Sequence, residues 1–330
     1  MKTQHILIIC TLAAGLMACK ADKPLATPGK VNFNSATLYP EGVDWDARNQ
    51  RFLVTSIRKG EIGSVKDDGT YWVFANDPRM VSSVGIKIDA DRDRVLVCNA
   101  DPGAAEKSSP DTTGKLAGLA AFSLSTGKLI RYIDLAKGIE GGHFCNDLTI
   151  DKDGTAYITD SFSPIIYKVD VNYTASVLVN NEAFSGKSFN LNGIVVKDNY
   201  LLAVKMNSGQ LFKIPLDNPN AFTEVQLKNK IYGADGLLWG PDGSLIVIAN
   251  NNAVVGATPP TATNKVIKLK SADNWGSAMV LGQADTDEVF ATTGTIRDGQ
   301  LYVIHAMLHV LFNPETKKHL EQFDIVKYNP

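Results

Sequence analysis

Apolar and polar residues alternate over short runs along most of this chain, and turn-forming residues separate the runs. The stretch from His143 to Asp160 shows the pattern best, because its apolar residues fall on one side of a pleat: Leu148, Ile150, Ala156 and Ile158. Asp153 and Gly154 supply a tight turn between its two halves. The stretch therefore predicts a β-hairpin.

The opening of this hairpin recurs along the chain as a Gly or Asp followed by a strand-like run. The repeated residues are Gly42, Gly85, Asp147, Gly193, Gly236 and Gly294, at intervals of 43, 62, 46, 43 and 58 residues. The shorter intervals match one four-stranded blade, and the two longer ones contain loop-like insertions at 101–118 and 251–264. The pattern predicts an all-β fold, a six-bladed β-propeller of four-stranded blades around a central channel.

The two ends of the folded part are expected to close the ring of blades together. The chain becomes strand-like at Val31, and the run from Val31 to Leu38 precedes the first repeat opening. Propellers commonly complete one blade with strands from both ends of the chain, which removes a seam between the first and last blades. We therefore expect this run to pair beside the strand near Phe323 to Tyr328, within a single domain spanning 31–330.

Composition and charge describe an ordinary globular protein and exclude one class of partner. The chain has 330 residues, of which 44% are hydrophobic and 21% charged, and its formal net charge is −2. Its lysines are scattered, so no basic surface for a nucleic-acid backbone is expected. The expected partner is a small-molecule substrate, and the expected oligomeric state is a monomer.

The N-terminus predicts a targeting segment. Lys2 precedes an apolar run from Ile6 to Ala18, which is too short to span a bilayer and has the form of a signal-peptide core. The sequence Leu16-Met17-Ala18-Cys19 resembles the lipobox of bacterial lipoproteins. The resemblance implies a signal peptide at 1–18, a lipid anchor on Cys19, a tether at 19–30, and a place on the outer membrane facing the periplasm. The alternative is a plain secretory signal with an incidental Cys.

Cys10 is removed with the signal peptide, and Cys98 and Cys145 are the cysteines that remain besides Cys19. Cys98 and Cys145 each lie in or beside a strand-like run. A pair of buried thiols is expected there rather than a disulfide framework. A single bridge between them stays open as an alternative in an oxidising compartment.

Candidate metal ligands occupy one phase of the repeat. The residue just before each repeated Gly or Asp is Glu41, Val84, Asn146, Asn192, Asp235 and Thr293. The innermost strands of a propeller line one channel, so these positions converge, and four of them carry carboxylate or amide oxygens. Two carboxylates and two amides form an oxygen cage that suits Ca²⁺, and the absence of His and Cys argues against zinc or copper. Each position alone has a simpler interpretation as a turn residue.

The same motifs resemble a known family. They are Pro40 to Trp45 (PEGVDW), Cys145 to Gly154 (CNDLTIDKDG), Leu191 to Ile194 (LNGI) and Gly233 to Trp239 (GADGLLW). The sequence resembles the family of senescence marker protein, gluconolactonase and luciferin-regenerating enzyme, and is similar to the diisopropyl fluorophosphatase type. The resemblance implies an axial Ca²⁺ or another divalent cation and hydrolysis of lactones or phosphoesters.

Carried over residue by residue, the resemblance implies that Glu41, Asn146, Asn192 and Asp235 are the metal ligands and that Asp235 is also the catalytic carboxylate. Gluconolactonase-type members place an Arg that holds the sugar two residues before the Asn of the third motif. Phe144 stands there in this chain. Binding of a sugar-acid lactone is therefore not expected to follow the family pattern.

Three further residues are candidates for supporting roles. Asp147 either orients Asn146 or a ligand water, or caps the turn. His305 lies near the position where the fluorophosphatase type carries a histidine at the channel rim. His143 is close in sequence to the predicted channel. For both histidines, the simpler interpretation is a solvated or structurally bonded ring.

Two functions from different classes are compatible with the sequence. The first is a metal-dependent hydrolase of lactones, esters or phosphotriesters, in which the ion activates water or substrate and Asp235 accepts a proton or attacks directly. The alternative is a non-catalytic, lipid-anchored propeller that binds a protein or glycan through its rim. The insertion at 101–118 is the expected place for selectivity if it folds over the channel mouth.

Overall fold

The computed structural model describes residues 27–251, 262–316 and 319–330. The predicted signal peptide, Cys19 and most of the tether lie outside the described residues. So does most of the second predicted insertion. Among the residues described, no helix is long and apolar enough to cross a membrane.

The fold consists almost entirely of short strands, as the alternating pattern predicts. In chain order the strands are β1 (Lys30–Asn34), β2 (Val43–Asp46), β3 (Arg51–Val54), β4 (Ile62–Val65), β5 (Tyr71–Ala75), β6 (Ser82–Asp89), β7 (Arg94–Ala100), β8 (Lys115–Leu116), β9 (Gly118–Ser123), β10 (Leu129–Asp134), β11 (His143–Ile150), β12 (Ala156–Asp160), β13 (Ile165–Val169), β14 (Ala175–Asn180), β15 (Leu191–Lys197), β16 (Tyr200–Lys205), β17 (Gln210–Pro215), β18 (Thr223–Glu224), β19 (Gln226–Leu227), β20 (Ala234–Trp239), β21 (Leu245–Asn251), β22 (Ala262–Lys270), β23 (Ser277–Asp285), β24 (Ala291–Arg297), β25 (Gln300–His305) and β26 (Gln322–Tyr328). The described helical segments are α1 (Leu308–Phe312) and the 3-10 turns Ala90–Arg92, Glu182–Phe184 and Pro219–Ala221.

These strands form six antiparallel sheets, each one blade of a propeller. From the inner strand outward, the blades are β2-β3-β4-β5, β6-β7-β9-β10, β11-β12-β13-β14, β15-β16-β17-β18, β20-β21-β22-β23 and β24-β25-β26-β1. The two-residue strands β8 and β19 add short parallel pairings to β11 and β23. The inner strands of neighbouring blades contact one another around a closed ring. The predicted six-bladed β-propeller is confirmed.

The predicted closure of the ring is also confirmed. Strand β1 pairs antiparallel with β26, so that Val31 lies opposite Ile325 and Phe33 opposite Phe323. Phe33 is buried and packs against Phe323 and Tyr71, with ring centroids 6.1 and 6.0 Å apart. The last blade therefore consists of three strands from the C-terminus and one from the N-terminus.

Close contact between blades explains the repeated glycines. A Cβ at Gly85 would lie 2.6 Å from the carbonyl oxygen of Asn146, and a Cβ at Gly193 would lie 2.2 Å from that of Asp235. Only Gly allows one inner strand to approach its neighbour this closely. These repeated glycines in the sequence therefore mark positions where one inner strand closely contacts the next.

Apolar side chains fill the spaces between blades. The largest buried cluster extends across both chain ends and contains Cys98 and Cys145, which are buried and free, as expected for a thiol pair. Trp45 packs against Phe52 and beneath the Arg297 guanidinium, which lies 3.9 Å from its ring centroid. Trp239 donates a hydrogen bond to the Val196 carbonyl. Both tryptophans thus serve packing rather than the channel.

Candidate metal centre and active site

The four predicted ligands converge in a small cavity at the axis. Glu41, Asn146, Asn192 and Asp235 come from four different blades and line one cavity of about 40 Å³. Each is at least nine-tenths buried. A volume of this size exceeds what one water molecule needs and leaves room for an ion and a few small ligands.

An irregularity in the inner strands of blades 3, 4 and 5 places three of these side chains on the channel, whereas Glu41 lies just before β2. The antiparallel register between the first two strands shifts across Asn146 in blade 3, across Asn192 in blade 4 and across Asp235 in blade 5. A β-bulge inserts an extra residue and redirects the local side chain. The repeated motif therefore codes for a bulge that turns an oxygen-bearing side chain towards the axis.

In the sixth blade, the residue at the repeated position lies one residue earlier in the sequence than predicted. The register shift there lies between Ala291 and Gly294, so Thr292 occupies the position equivalent to Asp235. Thr292 lines the cavity and donates a hydrogen bond of 2.6 Å to the Glu41 carbonyl. The prediction of Thr293 at this phase is wrong, because Gly294 stands one residue later in its bulge than Gly236 does in its own.

Several oxygens around the cavity are suited to receive a cation. Glu41 Oε2 and Asn146 Oδ1 are buried and have no hydrogen-bond partner among the described residues. A buried polar atom without a partner costs stability, so an oxygen in this state is a strong acceptor for an ion. The donor set of two carboxylates and two amides is one that Ca²⁺ prefers. The residues present therefore fit the divalent ion that the family resemblance implies.

The donor set is mixed in chemical type. Within the described parts of the chain, no three His, Cys, Asp or Glu side chains group closely enough to hold a metal ion by themselves. The candidate centre has two carboxylates, and the remaining oxygens come from the amides of Asn146 and Asn192. Such a set presents a net charge of −2 when both carboxylates are ionised, which a divalent cation neutralises.

Each of three candidate ligands has a partner on the adjacent strand of its own blade. Asn250 Nδ2 donates to Asp235 Oδ2 over 2.6 Å, and Asn146 Nδ2 donates to Ser161 Oγ over 2.7 Å. The Asn192 amide nitrogen lies 3.5 Å from the Met206 sulfur. The Asn146 contact turns its nitrogen towards Ser161 and leaves its Oδ1 without a partner among the described residues, whereas the Asn192 nitrogen faces Met206, which itself lines the cavity.

Sequence reasoning missed Asn250 and Ser161. The signal was present, because the two residues occupy comparable positions at the ends of second strands: Asn250 follows Ala249, which lies opposite Ala234, and Ser161 follows Asp160, which lies opposite Cys145. Reading the second strand of each blade at the same phase as the first would have identified them.

Burial and mutual repulsion dominate the electrostatics of the centre. Burial, together with the Asp235 and Asp147 carboxylates, raises the pKa of Glu41 well above its usual range. Burial and the nearby Asp147 carboxylate raise the pKa of Asp235 to about 8, against the opposing effect of the Asn250 N–H. Carboxylates held together in a closed space favour either protons or a cation.

Asp147 and the two histidines lie outside this cavity lining in the described chain. The Asp147 carboxylate accepts from the Leu148 and Ile194 amides, over 2.8 and 3.4 Å. It thus joins blade 3 to blade 4 where the other blades have Gly. His305 Nε2 lies 2.9 Å from the Tyr328 hydroxyl. The structure does not bring His305 to the ligand group, and its catalytic role stays a prediction.

His143 belongs to a separate buried network. Its Nδ1 lies 2.8 Å from Asp160 Oδ2, and the Tyr167 hydroxyl donates to the same carboxylate over 3.0 Å. Asp160 also accepts from the Phe144 amide over 2.8 Å. The ring is thus structurally bonded, and the hydrogen bond to Asp160 raises the pKa of His143.

The cavity walls above the candidate ligands are apolar. Phe144 and Met206 line them, as does Pro102 from the first predicted insertion. That insertion is anchored by buried Asp101, which accepts hydrogen bonds from Ser108, Thr112 and Thr113. Its expected position over the channel mouth is therefore supported by Pro102. Tyr232 lines a groove elsewhere on blade 5.

Comparisons with known proteins agree on the architecture. Neither a protein-family model nor a curated protein matches this chain. Among solved structures, the major allergen Mala s 1 of Malassezia sympodialis is 15% identical, with 92% of this chain and 97% of the allergen covered and a TM-score of 0.69. A luciferin-regenerating enzyme is 12% identical, with coverage of 90% and 95% and a TM-score of 0.61.

A gluconolactonase from Xanthomonas campestris is also similar. It is 12% identical, with 88% of this chain and 86% of the gluconolactonase covered and a TM-score of 0.56. The luciferin-regenerating enzyme and the gluconolactonase are the kinds of protein that the sequence motifs resemble. At these identities the comparisons show the fold, and by fold this chain is a six-bladed β-propeller.

Proposed function

We propose that this protein is a divalent-cation-dependent hydrolase of lactones or related esters and phosphotriesters, with Ca²⁺ held by Glu41, Asn146, Asn192 and Asp235. One observation carries the proposal: oxygens from four blades meet in one cavity at the axis, and two of them are buried there without partners among the described residues. The fold shared with a gluconolactonase supports the reaction class.

The bound ion would supply a Lewis acid that polarises a carbonyl or phosphoryl oxygen and lowers the pKa of water. Asp235 accepts the proton of the attacking water in this proposal. Of the described residues that line the cavity, only Asp235 and Glu41 carry a group that can take a proton. For a lactone, the water oxygen bonds to the carbonyl carbon, the ring C–O bond breaks, and the leaving ring oxygen takes up the proton that Asp235 accepted. The product is the open-chain hydroxy acid.

The surroundings of Asp235 support this assignment. Its Oδ2 accepts a hydrogen bond from the Asn250 amide, which restrains the orientation of the carboxylate beside the cavity that it lines. Apolar walls limit the water that can enter, and a site with little water strengthens the electrostatic interactions of its charged groups. The chain thus provides one oriented carboxylate beside the ligand cage.

The test is a substrate panel for the purified protein. Lactones, aryl esters and phosphotriesters are offered with Ca²⁺ and in excess chelator, to the wild type and to Glu41→Gln. Hydrolysis that needs Ca²⁺ and is lost in Glu41→Gln supports the proposal. Binding of Ca²⁺ without turnover of any of these classes would contradict it and favour the non-catalytic propeller.

A further inference from the structure

The cavity has a polar floor and an apolar body. Its polar lining residues are the four candidate ligands and Thr292, and every other described lining side chain is apolar. Phe144 stands in the wall beside Asn146, two residues away along the same strand. No other charged or hydrogen-bonding side chain among the described residues lines this cavity.

One wall is a packed group of three aromatic rings. The ring centroids of Phe144 and Phe189 are 5.0 Å apart, those of Phe162 and Phe189 are 4.9 Å apart, and those of Phe144 and Phe162 are 5.3 Å apart. Tilted and edge-on arrangements of this kind are favourable for aromatic groups. Phe162 and Phe189 are only half-buried, so the group is open to further apolar contact.

The opposite wall is the short helix α1. Leu308 and Phe312 from this helix line the cavity together with Phe290. The cavity of about 40 Å³ is partly open to solvent, so an organic substrate would extend from it along these walls. The surfaces that it then meets are the aromatic group on one side and α1 with Phe290 on the other.

A polyhydroxylated substrate would lose hydrogen bonds to water in this environment and gain none in return. Each buried hydroxyl without a partner is costly, whereas each buried methylene is favourable. We infer that the substrates are neutral lactones or esters whose reacting carbonyl is joined to an apolar body of aromatic size. This substrate class rests on the proposed hydrolase function.

Binding of unreactive analogues tests the inference without relying on activity. The probes are the lactam of dihydrocoumarin and gluconolactam, in which N–H replaces the ring oxygen of each lactone. They are titrated into the Ca²⁺-loaded and chelator-treated protein by calorimetry. We expect the aromatic lactam to bind about 15- to 60-fold more tightly, the effect of burying two to three methylene equivalents.

Matched variants locate the binding surface. Phe189→Ala and Phe312→Ala each remove a half-buried ring of the cavity and should weaken aromatic lactam binding about tenfold. Phe222→Ala removes a ring of similar burial that packs against Phe184 and Phe212 in blade 4. That variant should bind as the wild type does. Equal binding by all three variants would overturn the inference.

The two lactones separate failure of this inference from failure of the proposed function. Faster hydrolysis of gluconolactone than of dihydrocoumarin would leave the hydrolase standing and overturn the apolar substrate class. Tight binding of the aromatic lactam with no hydrolysis of any lactone, aryl ester or phosphotriester of the panel would overturn the hydrolase and with it the substrate class. Faster hydrolysis of dihydrocoumarin supports both.

Discussion

The two oxygens of Asp235 have different environments. Oδ2 accepts a short hydrogen bond from Asn250 Nδ2, whose other acceptor is the Ala291 carbonyl at 3.0 Å. Asn250 is fully buried, and its own Oδ1 has no partner among the described residues. The pair therefore has a fixed polarity, with an N–H on the Asn250 side and a carboxylate oxygen facing the cavity.

The direction of this hydrogen bond predicts that Asp235→Asn weakens Ca²⁺ binding by more than the loss of one negative charge would. The new amide must offer its oxygen to Asn250 Nδ2, which turns its NH₂ group towards the cavity and places a donor where a cation needs an acceptor. We expect Ca²⁺ affinity to fall at least about 100-fold, the upper end of the effects seen for groups that support a metal ligand. Calorimetric titration with Ca²⁺ measures the change.

The double variant that combines Asp235→Asn with Asn250→Asp is the matched control. It restores a carboxylate and an amide in swapped positions, so the amide of residue 235 can donate to residue 250 and present its oxygen to the cavity. The double variant should recover part of the affinity lost in Asp235→Asn, a coupling that a double-mutant cycle measures. Additive losses would show that the hydrogen-bond polarity is irrelevant.

The raised pKa of His143 makes the stability of the folded protein depend on pH. Its pKa in the folded state is raised, chiefly by the hydrogen bond to Asp160. The folded protein therefore holds the proton more tightly than the unfolded chain. This stabilisation is fully present below the ordinary histidine pKa of about 6.5 and is lost as the pH rises through the higher folded-state value.

The free energy of unfolding should separate wild type from His143→Gln most strongly at acidic pH, and the difference should shrink towards alkaline pH. Denaturant unfolding at a series of pH values measures it. His319→Gln, at an exposed position near the C-terminus, controls for the loss of one histidine. A difference that grows with rising pH would contradict the assigned network.

At the scale of strands, the sequence predicted the structure best where the same contact between inner strands recurs from blade to blade. In the first five blades the Gly or Asp of the opening lies at the close contact between adjacent inner strands, and the spacing of the openings predicted six blades. The sixth blade shows the limit of this reasoning, because Thr292-Thr293-Gly294 allows two phases and only the bulge between Ala291 and Gly294 selects Thr292.

The pairing of β1 with the last blade leads to a prediction about stability. Phe33 is 1% exposed and lies between Phe323 and Tyr71 where the N-terminal strand joins the last blade. Phe33→Ala should lower the free energy of unfolding by about 3–5 kcal/mol. Ile130→Ala, on the outer strand of blade 2 with 47% of its surface exposed, should change it by less than about 0.5 kcal/mol. Chemical denaturation compares them, and equal effects would argue against a structural closure.

For the whole molecule, the sequence predicts which candidate ligands converge but does not predict which residues form the walls of the site. Glu41, Asn146, Asn192 and Asp235 share one repeat phase, so their convergence follows from the fold class. Phe189, Leu308 and Phe312 do not belong to the repeat. They come from loops and from a helix of a single blade, and only the assembled propeller brings them to one cavity.

The location of the molecule depends on Cys19, which lies outside the described residues. We propose that this residue carries a lipid anchor, since the preceding residues resemble a lipobox. Cys19→Ser should move the protein from the membrane to the soluble fraction and abolish its labelling with fatty-acid analogues. Cys10→Ser, within the predicted signal peptide, is the control and should leave both unchanged. A membrane-bound, labelled Cys19→Ser variant would contradict the lipoprotein assignment.

The central claim is that the closed ring of blades holds one divalent ion on its axis. An ion that binds only the folded protein should stabilise it by about 3–4 kcal/mol at several hundred times its dissociation constant. Calorimetric titration of the chelator-treated protein with Ca²⁺ tests the claim most directly. We predict saturable binding of a single ion per chain, lost in Asn146→Ala with Asn192→Ala and kept in Asn99→Ala, a buried asparagine bonded to Arg79 and Tyr132. Absence of saturable binding, or equal binding by the double variant, would contradict the account.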